Sequence, residues 1–531
     1  MKNYIYSLIA GLALIAAGCS KEDLNTNPTD QTTPGQVFVN VENSFAALNG
    51  IYRNFYTNGA LWSSGYPAEN FGPSAINLVI DLMGEDMVQR DAGNFWFVYD
   101  YLYWMRTSIA GTSDHPYAYW SMYYRIIDNA NNILASIDAL PGDEQDRQNV
   151  KGQALSLRAY SYLYLIQFYA RTYKGHENEK GVPIYTTPTD KDSKGKGRGT
   201  VQDVFDQIND DLDAAILAFQ EASPQRHKSH IDKYVAYGLK SRVALLMEDW
   251  PTAANAAAKA LEKSGLSLMN NADVLAGFSS VSNPEWMWGS EINDSQSTSW
   301  NSFFNHMDSR ISSSYANTSR KVISKWLYDQ IGENDVRKSW FKAPVNTDEY
   351  EKMEEYAEGP EVNYNQIKFR VKAEGSWASD YLYMRAAEMY LNQAEAECRQ
   401  GNYQLARELM LTLLENKDPD IAARMAAVPN GNEITLFSYA DDLSGINLLD
   451  FILLQRRIEL WGEGFRIFDV RRHKTGFVRT YPESNHYSPG DLEDYGYFDV
   501  TDPESWEWVY MLPLTEFDGN PSLDPVADQN P

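Results

Sequence analysis

Apolar residues recur at steps of three and four along most of this chain, and that spacing limits what it can fold into. Trp120, Tyr123, Ile127, Ala130, Leu134 and Ile137 form one such row, the period of an amphipathic α-helix. Leu155, Ala159, Tyr162, Ile166 and Tyr169 form a second, inside a stretch of about 150–171 that is apolar nearly all round. One apolar face marks a helix packed on one side; apolar residues on every face mark a helix packed on both. Ala236, Leu239, Val243 and Leu246 repeat the pattern, as do Met384, Ala387, Leu391, Ala394 and Cys398. Thr200 followed by Asp203 is an N-terminal capping signature for a helix over 204–219. The chain is expected to be mainly α.

Two segments read as helix–turn–helix units. In Leu239–Leu261 the first helix should end near Glu248, with Trp250 three residues ahead of Ala253. In Tyr390–Leu414 the break is Gly401-Asn402, with Tyr403 three residues ahead of Ala406. An aromatic at the turn over a small residue on the next helix closes tetratricopeptide hairpins. The expected fold is an α-superhelix of such hairpins, interrupted over 265–380 by an irregular insertion of loops, short strands and short helices. That insertion carries Trp286, Trp288, Trp300, two Ser-rich stretches and an acidic run from Asp348 to Glu358. Residues 480–531 hold Pro482, Pro489, Pro503, Pro513, Pro521, Pro525 and Pro531, a density that predicts extended chain laid over a preformed body. The divisions are 1–18 as a leader, 19–264 and 381–531 as helical regions, and 265–380 between them, all in one compact body.

Charge excludes whole classes of partner. The 531 residues carry 73 Asp and Glu against 46 Lys and Arg, a net charge of −27. Nucleic acid is held by cations that release its counterions, and anionic lipid by basic patches; neither is expected here. There is no G-x-S-x-G elbow, P-loop, H-E-x-x-H or C-x-x-C. His227 and His230 lie in a polar run and read as a solvated loop. Asp190 to Gly195 begins like a calcium loop but has Lys194 at position five and Val201 at position twelve, where the bidentate acid belongs. No metal or cofactor is expected. A glycosidase carboxylate pair stays open, because so many acids allow one anywhere.

The N-terminus reads as a targeting segment. Lys2 precedes an apolar run from Ile5 to Ala17, too short to span a bilayer, which takes about 20 helical residues. Ala16-Ala17-Gly18-Cys19 resembles a bacterial lipobox, with Ala16 where Leu is usual; Cys19 would then be lipidated and the membrane reached by that anchor alone. A plain secretory cut after Ala17 or Gly18 is the alternative. Lys21-Glu22-Asp23 resembles the signal that sends Bacteroidetes lipoproteins to the outer face of the outer membrane. Cys398, the only other cysteine, continues an apolar stripe and should be core.

The densest chemistry is aromatic. The chain has 14 Trp, 35 Tyr and 21 Phe, and Tyr suits surfaces half apolar and half wet. Phe95-Trp96-Phe97-Val98-Tyr99-Asp100-Tyr101-Leu102-Tyr103-Trp104 is nearly all rings, flanked by Asp91 and Asn94. A core segment is one reading. The other is a platform on which the apolar faces of sugars stack while polar groups take the hydroxyls, with Asn94, Trp96, Tyr99, Tyr101 and Trp104 as candidates. Trp300, Phe303 and Phe304 form a second candidate cluster.

Several ordered blocks together resemble the SusD/RagB family of outer-membrane lipoproteins. They are Cys19 with the Leu24–Asp30 segment, Tyr119–Asn132, Gly152–Phe168, Gly181-Val182-Pro183, Tyr381–Glu397, Arg456–Arg472 and the Leu512–Pro531 ending. The resemblance implies an α-superhelix of tetratricopeptide-like hairpins and non-catalytic capture of a nutrient, usually a glycan and in some members peptide. It implies a SusC-like TonB-dependent barrel as partner, closed by the lipoprotein as a lid. In starch-binding members the site lies on loops before the Tyr119-Trp120 helix and in the insertion, where both aromatic clusters fall. Arg456, Arg457, Glu459, Glu463 and Arg466 could suggest a catalytic acid with arginine clamps. At helix spacing they read better as scaffold, with local pairs and arginine forks to neighbouring helices.

Overall fold

The computed structural model describes residues 37–57, 67–91, 93–111, 114–225, 227–298, 300–344, 362–435, 445–486 and 499–531. Cys19, the leader, Lys21 to Asp23 and the acidic run 348–358 lie outside the described residues. The principal helices are α1 (Val41–Arg53), α2 (Pro73–Leu82), α3 (Val98–Tyr101), α4 (His115–Ser136), α5 (Glu144–Tyr169), α6 (Val201–Gln220), α7 (Lys233–Met247), α8 (Trp250–Leu261), α9 (Phe303–Met307), α10 (Ala386–Arg399), α11 (Tyr403–Leu414), α12 (Leu448–Glu459) and α13 (Arg466–His473). Four short strands, β1 (Met87–Gln89), β2 (Trp286–Ser290), β3 (Lys321–Ile323) and β4 (Tyr381–Arg385), make two antiparallel pairs, β1 with β3 and β2 with β4. No described helix is long and apolar enough to cross a membrane.

Successive helices pack on one another from α4 through α8, and α8 then packs on α10. The two hairpins read from the sequence are therefore neighbours in space, and the superhelix continues across the insertion. Pairing of β2 with β4 brings the chain back at that junction. The hairpin turns are built as the spacing predicts. Glu248 ends α7 in the left-handed region, Asp249 caps α8, and Ala253 and Ala406 are buried. Thr200 and Asp203 form the expected capping box on α6.

Helix α5 is the centre of the core. It is buried on nearly every face between α4, α6 and α1, and each Leu or Ile so placed contributes about 1.5–3 kcal/mol relative to exposure. Tyr is used here differently from the half-wet surface that the composition suggests. Tyr160 and Tyr164 pack at 4.7 Å between ring centroids, and Tyr164 stacks on Tyr123 at 5.4 Å. Tyrosines of this helix also reach polar partners inside the core: the Tyr162 hydroxyl donates to Tyr185 O at 2.9 Å, and that of Tyr164 to Asn77 Oδ1 at 3.1 Å. Tyr is thus the core residue that also ties helices to loops. Cys398 is buried, its thiol pushed up to about 12 by burial.

Residues 499–531 lie over this body. Tyr510 N donates to Phe168 O at 2.8 Å, Met511 N to Arg106 O at 3.1 Å, and Asn530 Nδ2 to Tyr169 O at 2.9 Å.

The arginine–glutamate block is a buried network between elements. Arg385 Nη1 reaches Glu285 at 2.6 Å and Glu459 at 2.8 Å, and Nη2 reaches Glu463 at 2.8 Å. Glu459 also pairs with Arg337 at 3.0 Å and Lys417 at 2.7 Å. The local pairs read from helix spacing do not form this network. Helix α12 ends at Glu459, and Gly462 and Gly464 follow at φ of 80° and 85°. A Cβ at either would meet Phe369 or Asn77 at 2.4 Å, so the chain turns sharply and Glu463 and Arg466 face other elements. Arg456 pairs with Asp469 at 2.7 Å and Arg457 with Glu85 at 2.9 Å.

Candidate functional site

The aromatic run is neither a strand nor an ordinary helix. Phe95, Phe97 and Tyr103 have φ of 63°, 62° and 62°, in a region that bulky residues avoid unless surroundings enforce it. Enforcement comes from beneath. The Glu69 carboxylate accepts from Phe97 N, and the Tyr103 hydroxyl donates to Met83 O. Arg479 donates to Tyr101 O and Leu82 O, both at 2.6 Å, and its guanidinium lies 4.2 Å from the Tyr101 ring centroid. Asp100 Oδ1 stands 2.9 Å from His115 Nδ1 and accepts from the Tyr510 hydroxyl at 2.9 Å.

Out of this floor rise two ring ladders that begin on consecutive residues. Phe95 stacks on Tyr99 at 5.8 Å, and Tyr99 on Trp104 at 6.0 Å. Trp96 packs on Tyr315 at 5.3 Å, and Tyr315 on Trp300 at 5.5 Å. Each ladder includes an exposed indole, Trp104 at 41% and Trp300 at 53% relative exposure. Asn94 is exposed beside the first rung, and Trp96 and Tyr99 are half-buried.

The structure therefore joins the two sequence clusters through Trp96 and Trp300. The joining residue, Tyr315, was not among the sequence candidates. Its position after Ser312-Ser313-Ser314 marks a loop, but nothing local ties that loop to residue 96. Asn305, on α9, holds it: its Oδ1 accepts from Tyr315 N at 2.6 Å. Two sequence candidates are corrected to core. Tyr101 is buried, its hydroxyl 2.8 Å from His486 Nδ1, and burial pushes it up to about 12. Phe303 is buried with its ring edge-on to Phe369 at 5.0 Å. Neither ring has a face open to a ligand. His227 and His230 each meet Ser229 Oγ through Nδ1 at 2.9 Å, while His227 Nε2 pairs with Glu291 at 3.0 Å and His230 Nε2 meets Asn49 Oδ1 at 2.7 Å, so both nitrogens of each ring already have partners within the chain.

Residues 247–531 match the family model described as the SusD family. The chain belongs to that family. Residues 72–245 match a second SusD-like model, described as starch-binding associating with outer membrane. Among solved structures, this SusD-family chain resembles a SusD-like carbohydrate binding protein from Bacteroides vulgatus. The TM-score is 0.71 and the identity 25%, with 92% of this chain and 98% of the other covered. A SusD-like protein of Bacteroides ovatus is 20% identical over 292 residues, covering 52% of this chain and 48% of that one. One of Formosa agariphila is 22% identical over 175 residues, covering 33% and 30%. The matched part thus spans about a third to a half of these curated relatives.

Proposed function

We propose that this SusD-family chain is a cell-surface lipoprotein that captures an oligosaccharide on its two aromatic ladders and passes it, uncleaved, to a SusC-like TonB-dependent barrel. The observation that carries this reading is the pair of exposed indoles, Trp104 stacked on Tyr99 and Trp300 packed at a tilt on Tyr315. Flat rings take the C–H faces of sugars, and Asn94, exposed one residue before Phe95, offers an amide for sugar hydroxyls. The carbohydrate-binding relative from Bacteroides vulgatus shares the fold over nearly the whole chain. Glu69 and Asp100, beneath the ladders, are buried, and Asp91 beside them is held by Arg320 at 2.7 Å, which favours binding over cleavage. Lipidation at Cys19 and partnership with the barrel belong to the same proposal and rest on the lipobox resemblance and the family.

Stacking of a ring on a sugar face contributes about 0.5–1.5 kcal/mol beyond area, by analogy with aromatic pairs. Several such contacts in a shallow site give affinities of about micromolar to millimolar. Calorimetric titration of the chain without its first 18 residues against a glycan panel tests the reading, with a parallel assay for new reducing ends. Binding of at least one glycan with no release of reducing ends is expected. Sustained release makes it an enzyme, and binding of peptides alone removes the glycan.

A further inference from the structure

The peptide that joins Trp96 to Phe97, at the root of the second ladder, is held on both sides. Its carbonyl, Trp96 O, accepts from Ser319 Oγ at 3.2 Å, and its amide, Phe97 N, donates to the Glu69 carboxylate. Lys321 braces the first side, its ammonium donating to Ser319 O at 2.8 Å. Glu69 and Lys321 are both buried. Around Glu69 stand Asp100 of α3, His115 and Tyr119 of α4, His306 of α9 and Lys321 of β3. Asp100 Oδ1 lies 2.9 Å from His115 Nδ1 and accepts from the Tyr510 hydroxyl. His115 Nε2 faces Glu69 Oε2 at 3.8 Å, too far for a hydrogen bond. His306 Nε2 meets Ala68 O at 2.7 Å, and burial with the Lys321 charge holds His306 well below its usual range. Asp91 acts on Lys321 and Asp114 on His115. Among the described residues, His115 Nε2, Asp100 Oδ2 and the Tyr119 hydroxyl are buried without a hydrogen-bond partner. Charge therefore matters more than hydrogen bonding to how this cluster holds together.

We propose that Glu69 is a proton-operated clamp on the aromatic segment: ionised, it grips Phe97 N and both ladders stand; protonated, it slackens the segment and the ladders release their ligand. The release of ligand rests on the function proposed above, whereas the clamp itself does not. An ionised carboxylate accepts an amide hydrogen about twice as strongly as a neutral acid. Phe97 is fully buried, so no water takes over the amide when the grip weakens. Phe95, Phe97 and Tyr103 keep their left-handed backbone only while their surroundings enforce it. The proton arrives close to neutrality, because burial pushes the Glu69 carboxyl up to about 7 against the pull of His115, the Phe97 amide and Lys321. Burial also brings Lys321 down to about 7, and Asp100 and Glu69 raise His115 in spite of its burial. Acidification therefore adds positive charge on Lys321 and His115 as Glu69 loses its negative one, and both changes loosen the same floor.

Hydrogen exchange read by mass spectrometry on the chain without its leader separates the two states, with rates corrected for the intrinsic effect of pH. Protection of the peptide spanning residues 95–104 should be about tenfold lower at pH 5.5 than at pH 7.5, while that of helix α5 stays constant. Glu69→Gln should show the low protection at both values, and the surface control His227→Asn the wild-type profile. Lys321→Met removes a charge that holds Glu69 down and should move the midpoint to higher pH; it decides if Glu69→Gln does not fold. Equal wild-type protection at both values overturns the clamp, as does a pH response that survives in Glu69→Gln or a midpoint unmoved in Lys321→Met. With a glycan that binds at pH 7.5, Kd should rise several-fold at pH 5.5, and an unchanged Kd beside changed protection overturns the release. Failure to find any glycan ligand counts against the proposed function alone, since exchange decides the clamp without one.

Discussion

The aromatic residues divide into rings that a ligand can reach and rings that hold the fold, and sequence position does not separate them. Trp104→Ala and Trp300→Ala should each weaken binding of the cognate glycan several-fold and leave the melting temperature nearly unchanged, because both indoles are exposed. Tyr101→Ala and Phe303→Ala should cost about 3–5 kcal/mol of stability, as buried aromatic truncations do, read from urea unfolding. A ring ladder in the core and one at a surface look alike in sequence, since both need only aromatic side chains. The deciding facts were three left-handed residues and an Arg479 that reaches Tyr101 O in the same segment from far along the chain. Tyr315 illustrates the limit. Its loop was visible from the serines, but its contact with Trp96 depends on Asn305 and on pairing of β1 with β3.

At the scale of elements, the helices were legible because a period of three and four residues is local information. The join between α8 and α10 was not, because it depends on β2 finding β4 across the insertion. The buried network at that join should dominate stability. Arg385→Ala leaves Glu285, Glu459 and Glu463 with a buried charge unmatched, and should cost about 3–5 kcal/mol. Thr200→Ala, which removes only a helix cap, should cost about 1 kcal/mol; urea midpoints compare the two. The network also sets the acid response. Burial works to raise Asp469, but Arg456 and Arg472 hold it down to about 2; for Glu85, burial is likewise outweighed by Arg466 and Arg457, again to about 2. A carboxylate lowered on folding adds stability above its unfolded value near 4 and loses it as pH falls through the folded value. Stability should therefore drop between about pH 4 and pH 2. Asp469→Asn, less stable at pH 7, should show a shallower drop across that window by about 2 kcal/mol.

For the whole molecule, the superhelix with its interleaved insertion presents the ladders, and the proposed anchor at Cys19 would set where the protein works. Cys19→Ala should abolish palmitate labelling and move the protein out of the membrane fraction, since several acyl chains anchor firmly and none anchors at all. Unlabelled protein still in the outer membrane would mean that the barrel alone retains it. The central claim is that Trp104 and Trp300 form the ligand-facing ends of one glycan site. Its most direct test is calorimetry of the double variant Trp104→Ala with Trp300→Ala against the glycan that binds the wild type. Loss of detectable binding at an unchanged melting temperature is the predicted result; wild-type affinity in that folded double variant would contradict it.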